Sequence, residues 1–419
     1  MNLSKERIKS AQFALMVTFF TQGVASLSWL PRVPEFIANL GVSKETWGII
    51  IAIGGAGSLV PLVFTNRLIN KYGTTPIIRI SSIGIAVFLL ALPYPTQWWL
   101  FLIAHFMMSM SFSIFNIAVN SQAVMFQKRI GKVMLGSFHG SWSIGAAASA
   151  AITSAIASFT PLKVQMAVIP LLCIALFLFS ATKLLTNAED THGEEKTTSK
   201  SLPWLKSPKY LWVLSVGLFA GMWPELVIMD WSSVYGKEIL HLDASRAAWP
   251  YTVFVVAMIF GRFSIVKLTQ KYQVNRISMV GGIFGSIAYI LAFFVSSWLA
   301  PTNQNLALLV TCFFYAVAGY GISSMVPSFY SAAGYVKGLS TSAALSRMFL
   351  FNTLVAIVAR MFMGGLIDNF SLLTALTFPM ATFVIATVIS GLVANRQKRI
   401  DQVLGYAPTS PITTLDVAD

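Results

Sequence analysis

The sequence predicts an all-α polytopic membrane protein, twelve transmembrane helices arranged as two six-helix parallel repeats. Three observations point there. Of 419 residues, 56% are hydrophobic and 11% charged, with a mean hydropathy of +0.71, whereas a soluble domain carries roughly 25% charged residues. The apolar residues fall in runs long enough to cross a bilayer, and the second half of the chain repeats landmarks of the first.

A helix needs about 20 mainly apolar residues to span the hydrocarbon core. Runs that meet this length occupy 10–38, 45–70, 75–94, 97–126, 132–159 and 163–186, then 208–238, 245–270, 275–297, 305–332, 339–367 and 371–395. The first follows Lys5, Arg7 and Lys9 directly and is too long for the apolar core of a cleaved signal peptide, so it is read as a retained first helix. A polar stretch at 187–207 divides the runs six and six. Its mixed charges and lack of apolar periodicity mark a solvated linker between an N-terminal bundle, 1–186, and a C-terminal bundle, 208–396. Residues 397–419 read as a disordered tail.

Net charge is +14. Most of the basic residues sit in one alternate set of loops and the two tails; Arg32, Lys44, Lys163, Lys237 and Arg246 fall in the opposite set. That asymmetry follows the positive-inside rule and places the linker and both termini in the cytoplasm. The surplus charge then answers to an anionic bilayer surface, not to nucleic acid. Cys173 and Cys312 lie in apolar runs and read as packing residues.

The loop after the second run reads Arg67-Leu-Ile-Asn-Lys71-Tyr-Gly73, and the loop after the eighth reads Lys267-Leu-Thr-Gln-Lys-Tyr-Gln273. Likewise Ser28-Trp29 in the first run is matched by Asp230-Trp231 in the seventh. Six runs separate the copies, so both halves insert in the same orientation, and repeats of this kind hold their binding site at the repeat interface. On these motifs the chain resembles the major facilitator superfamily over roughly 10–396. The Ser-Trp-x-x-Arg-x-Pro of the first run and the Glu-x-x-x-x-Asp-Trp-Ser-x-Val-Tyr of the seventh are similar to a bacterial branch near the fucose-permease-like sugar:proton symporters. Asn70 and Gln270 stand where the superfamily's loop motif usually has Asp, which leaves that motif's charge relay open while Arg67, Lys71 and Gly73 remain as gating candidates.

Acidic side chains at membrane depth are costly and usually face a bundle interior or a wet cavity. Glu225 and Asp230 both lie in the seventh run. Glu225 sits about midway, beside a proline that can kink or unwind the helix, and is the first candidate for proton coupling; Asp230 and His139 are further candidates. The alternative for each carboxylate is a structural pair. Arg32 lies at a depth similar to Asp230 in the repeat-related helix, so it either pairs with Asp230 as an outer gate or snorkels to the interface.

The fourth run carries His105, Asn116 and Asn120 on one helical face, and amides suit hydroxyl-bearing solutes because each donates and accepts. Trp142, Trp231 and Tyr320 offer aromatic faces, while Arg347 and Asn352 lie in the eleventh run. Together these eight are the candidate substrate-binding residues. Interhelical hydrogen bonding explains the amides equally well, and a fixed charge pair would explain Arg347. Gly136, Gly140 and the small residues after them read as a close helix contact.

No phosphate-cradling loop, nucleophile constellation or metal-ligand spacing occurs, so no enzyme, cofactor or metal is expected. The resemblance implies a monomeric secondary transporter of the bacterial cytoplasmic (inner) membrane working by alternating access. Its expected partners are a small polar solute (sugar-like, or an anionic metabolite or vitamin), protons and the lipid bilayer, in symport. Two other readings share the fold: a proton-driven exporter of drugs or lipophilic metabolites, and an uncoupled facilitator or receptor.

Overall fold

A computed structural model of the chain describes residues 4–130, 134–186, 189, 207–269, 271–333, 336 and 341–404. The described residues contain helices and no strand. In order these are α1 (Lys5–Leu27), α2 (Val33–Leu40), α3 (Lys44–Ala56), α4 (Thr65–Tyr72), α5 (Thr74–Ala91), α6 (Trp98–Ile130), α7 (Leu135–Ile156), α8 (Leu162–Ala181), α9 (Lys209–Glu238), α10 (Ala244–Leu268), α11 (Val274–Leu299), α12 (Gln304–Ile322), α13 (Met325–Ala333), α14 (Thr341–Asn369) and α15 (Leu372–Leu404). Short 3-10 segments, Leu30–Arg32 and Gly57–Val63, interrupt the first two expected spans where Pro31 and Pro61 remove a backbone donor. Among the described residues, eleven helical stretches are long and apolar enough to cross a membrane. The twelfth expected span is α7, 22 residues rich in Gly, Ala and Ser, which trades hydropathy for close packing.

The chain forms two compact units. Unit 1 comprises 1–198 with 243–249 and 357–369; unit 2 comprises 199–242, 250–356 and 370–419. By this division the start of α10 and the last turns of α14 belong to unit 1.

In unit 1, α1 lies against α7 with almost no side-chain padding. A Cβ at Gly23 would stand 2.1 Å from the Trp142 carbonyl oxygen, and one at Gly145 would stand 2.0 Å from that of Phe20. This contact lies in the small-residue run after Gly140 that the sequence reading gave for it. Trp29, Phe36, Trp47 and Phe101 pack as an aromatic cluster at the end remote from the N-terminus. At the N-terminal end Arg7 clamps Glu189 through Nε at 3.0 Å and Nη2 at 2.6 Å, and also donates to the carbonyls of Lys183 and Leu184. Gly73, at φ +82°, makes the turn from α4 to α5 in a region side chains rarely adopt, which explains the glycine in the basic loop motif.

The Arg7 fork, with help from the Thr186 amide and hydroxyl, outweighs burial and pulls the Glu189 carboxyl down to about 2. An acid whose folded value is depressed contributes stability above its ordinary value of 4.5 and loses it as pH falls toward 2. Glu189→Gln is therefore expected to lower the melting temperature at pH 7 by an amount equivalent to about 1–3 kcal/mol. The difference from the parent should shrink as the pH falls below about 4.5 and vanish only in melts taken near pH 2 and below.

In unit 2, α11 packs on α12 through Gly281, Gly285 and Gly321, whose backbones touch: a Cβ at Gly321 would meet the Gly281 carbonyl oxygen at 2.3 Å. Tyr235, Phe254, Tyr289, Phe293 and Tyr315 interlock as edge-to-face rings in its core. Tyr235 anchors the set by a hydroxyl contact of 2.6 Å with Ser296.

Candidate functional site

The acidic helix α9 runs through Pro224 as one continuous helix, so of the two effects open at that proline, kinking and unwinding, unwinding does not occur. Its carboxylates differ in setting. Glu225 is half-buried, and its Oε1 lies 3.8 Å from Nη2 of Arg262 on α10. Asp230, one and a half turns on, is buried. Tyr251, buried on α10, stands within electrostatic reach of both carboxylates.

Arg262 is the residue that sequence reasoning missed. In sequence it stands near the end of the eighth run, beside the basic loop, but α10 continues to Leu268 and keeps Arg262 inside the span. Neighbouring Gly261 sets its depth. The missing side chain lets α10 press on α12, where a Cβ would stand 2.3 Å from Ser323 Oγ and 2.9 Å from the Tyr320 carbonyl oxygen. Met258, one turn back, touches the guanidinium through its sulfur at 3.5 Å. The signal was present in the sequence: an arginine spaced 11 residues from Tyr251 lies on the same helical face.

Unit 1 presents an amide cluster. Asn116 Oδ1 accepts from Gln22 Nε2 at 3.3 Å and from Asn120 Nδ2 at 2.8 Å, and Asn116 is exposed. Two of the predicted stripe residues are thus brought together, joined by Gln22 of α1, which the sequence reading did not single out. His139 is exposed and meets Phe19 of α1 edge-on with ring centroids 5.3 Å apart. Trp142 is half-buried on the same helix. His105 goes elsewhere: it is buried against Trp29 and Phe101, and its Nδ1 faces Gly54.

The remaining candidates spread over both units. In unit 1, Arg32 is buried and its guanidinium is taken by Glu35, by Gln165 Oε1 at 2.7 Å and by the Thr160 carbonyl at 3.0 Å. The 3-10 turn at Leu30–Arg32 aims this side chain back toward α2 and α8 within unit 1. Arg67 and Lys71 are exposed, and Lys71 Nζ lies 5.0 Å from the ring centroid of Tyr72. In unit 2, Trp231 is buried and Tyr320 is 46% exposed. Arg347 is buried near the start of α14 and donates to Ser207 Oγ at 2.8 Å. Asn352 is buried and ties α14 to α9 by a contact of 3.4 Å to the Ser215 carbonyl. Among the described residues, no group of His, Cys, Asp or Glu is placed to hold a metal ion.

Residues 13–336 match the profile of the Major Facilitator Superfamily. An uncharacterized MFS-type transporter of Yersinia pestis is 26% identical over 329 residues, 78% of this chain and 80% of its own length. An uncharacterized transporter of Sinorhizobium fredii is 27% identical over 337 residues, 80% of this chain and 85% of its own. Among solved structures, a mutant form of the nucleoside transporter NupG superposes with a TM-score of 0.70 at 13% identity, covering 93% of this chain and 99% of that one. A bacterial homologue of the human lysosomal transporter Spinster superposes at 0.66 and 13% identity, covering 94% and 98%. At such identities the structures speak for the fold alone, while the sequence match spans most of the chain. The protein belongs to the Major Facilitator Superfamily of membrane transporters.

Proposed function

We propose that this transporter is a proton-coupled symporter for a small polar solute, with Glu225 as its proton-binding group. The observation that carries the reading is the Glu225–Arg262 contact: a carboxylate midway along a spanning helix, 3.8 Å from a guanidinium on the next helix, with both side chains part-exposed at 26% and 36%. A fully buried ion pair would be fixed, and a fully solvated one would be weak. A long contact open on one side can be made when the acid is charged and released when it takes a proton. Arg262 is then free to move or to meet a solute. Proton and solute that favour the same state raise each other's affinity by the same factor.

The exposed Asn116 amide, joined to half-buried Asn120 and backed by buried Gln22, supports a hydroxyl-bearing solute, since an amide offers both donors and an acceptor. His139, Trp142, Trp231, Tyr320, Arg347 and Asn352 remain candidate contacts, and Asp230 with Tyr251 a second titratable group on the same path. The charge asymmetry of the loops supports a reading in which both termini lie in the cytoplasm.

The test is uptake into proteoliposomes, with candidates for the solute found by a thermal-shift screen of sugars, organic acids and vitamins, since a ligand of the folded state raises its melting temperature. An inward pH gradient is expected to drive the solute above its external concentration, and collapse of the gradient with a protonophore should return it to equality. Accumulation that survives collapse would refute proton coupling.

A further inference from the structure

The first amides of any helix have no partner inside it and must find one elsewhere. At the starts of α3 and α10 they find it in a distant part of the chain, in the same way twice. Ser43 caps α3 conventionally, its Oγ accepting the Thr46 amide at 3.1 Å, but the Lys44 and Glu45 amides go to the two oxygens of Asp368 at 3.1 and 2.6 Å. Asp243 caps α10 conventionally, its Oδ1 accepting the Arg246 amide at 3.0 Å, but the Ser245 amide goes to Ser158 Oγ at 2.9 Å. Ser158 also donates to Asp243 Oδ1 at 2.7 Å, and the Ser245 hydroxyl donates to the Ser154 carbonyl. All these residues belong to unit 1.

The two arrangements are related by the internal repeat. The helix start at 44 corresponds to that at 244, and the end of α7, near 158, corresponds to the end of α14, near 368. Each helix start in one repeat is capped by the end of the fifth span of the other. The backbones back this up on the Asp368 side. A Cβ at Gly364 would stand 2.5 Å from the Lys44 carbonyl oxygen, and one at Gly48 would stand 2.8 Å from that of Arg360. Burial works against the charge of Asp243, but the Arg246 amide, the Ser158 hydroxyl and the Arg246 guanidinium outweigh it and hold the carboxyl below its usual range. The acceptor therefore stays charged at working pH.

We infer that Asp368 on one side and Ser158 on the other are reciprocal caps that latch the repeats together at the end remote from the N-terminus, and that both must be released when that end opens. Capping suits a reversible latch. The amides it uses are already polar helix ends, so on opening water can replace the cap and hydrate the released Asp368 carboxylate. The inference rests on the transporter reading of the fold but not on proton coupling.

A cysteine placed at Ser154, which is buried beneath the Ser245 contact, reports opening without solute or gradient. In a background with Cys173→Ala and Cys312→Ala, maleimide labelling of Ser154→Cys is measured for the parent, for Asp368→Ala, for Ser158→Ala and for Glu189→Gln. The last loses a charged hydrogen bond of unit 1 at its other end. Asp368→Ala is expected to label about tenfold faster than the parent, and Ser158→Ala several-fold faster, as charged and neutral caps differ in strength. Glu189→Gln should label at the parental rate. Parental rates in both cap variants would overturn the latch, and so would equal acceleration in Glu189→Gln, because that outcome means general loosening.

Discussion

Arg262→Ala should abolish solute accumulation and also destabilise the protein. Removing one member of a fully buried ion pair costs about 3–5 kcal/mol because the other charge is stranded. Here the side chains are 26% and 36% exposed, and water reaching the stranded Glu225 brings the expected loss down to about 1–3 kcal/mol. The double variant Glu225→Gln, Arg262→Gln strands nothing. It is expected to melt within about 1 kcal/mol of the parent while still failing to accumulate solute. Stability and coupling should therefore separate between the two proteins, as read by thermal melts and by uptake. A single Arg262→Ala variant that keeps both would remove Arg262 from the site.

The sequence made the spans and the repeat legible because their signals are local: 20 apolar residues, a basic loop, a Ser-Trp or Asp-Trp pair. Glu225 was legible for the same reason, as an acid where acids are expensive. Its partner was not. Whether Arg262 belongs to the span or to the loop depends on where α10 ends and on how deeply Gly261 lets it sit against α12, and both are tertiary facts.

Arg32 shows the converse. A proline-bounded 3-10 turn sends its guanidinium to Glu35, three residues away, a contact that depth along the span does not reveal. The polar stripe of the fourth run shares one face yet has two fates along its length, His105 in an aromatic cluster and Asn116 exposed beside Gln22. Helical periodicity fixes direction around an axis and says nothing about which neighbour stands at each height. The caps from Asp368 and Ser158 were the least legible, since they join residues 324 and 87 positions apart.

Glu225→Gln should produce the largest functional effect with the least structural disturbance. The amide keeps the volume and a carbonyl acceptor for Arg262, but it can neither bind nor release a proton. A symporter whose proton site is locked in a neutral form still loads and unloads solute on both faces, since that step needs no net proton movement. It cannot convert a pH gradient into a solute gradient.

The decisive measurement sets two assays on one preparation of Glu225→Gln proteoliposomes beside the parent: exchange of labelled for unlabelled solute, and net accumulation under an inward pH gradient. The account predicts exchange within a few-fold of the parent and accumulation no higher than equilibrium, with no alkalinisation of the medium when solute is added. If Glu225→Gln concentrates solute and takes up protons with it as the parent does, the coupling acid is not Glu225 and the central claim fails.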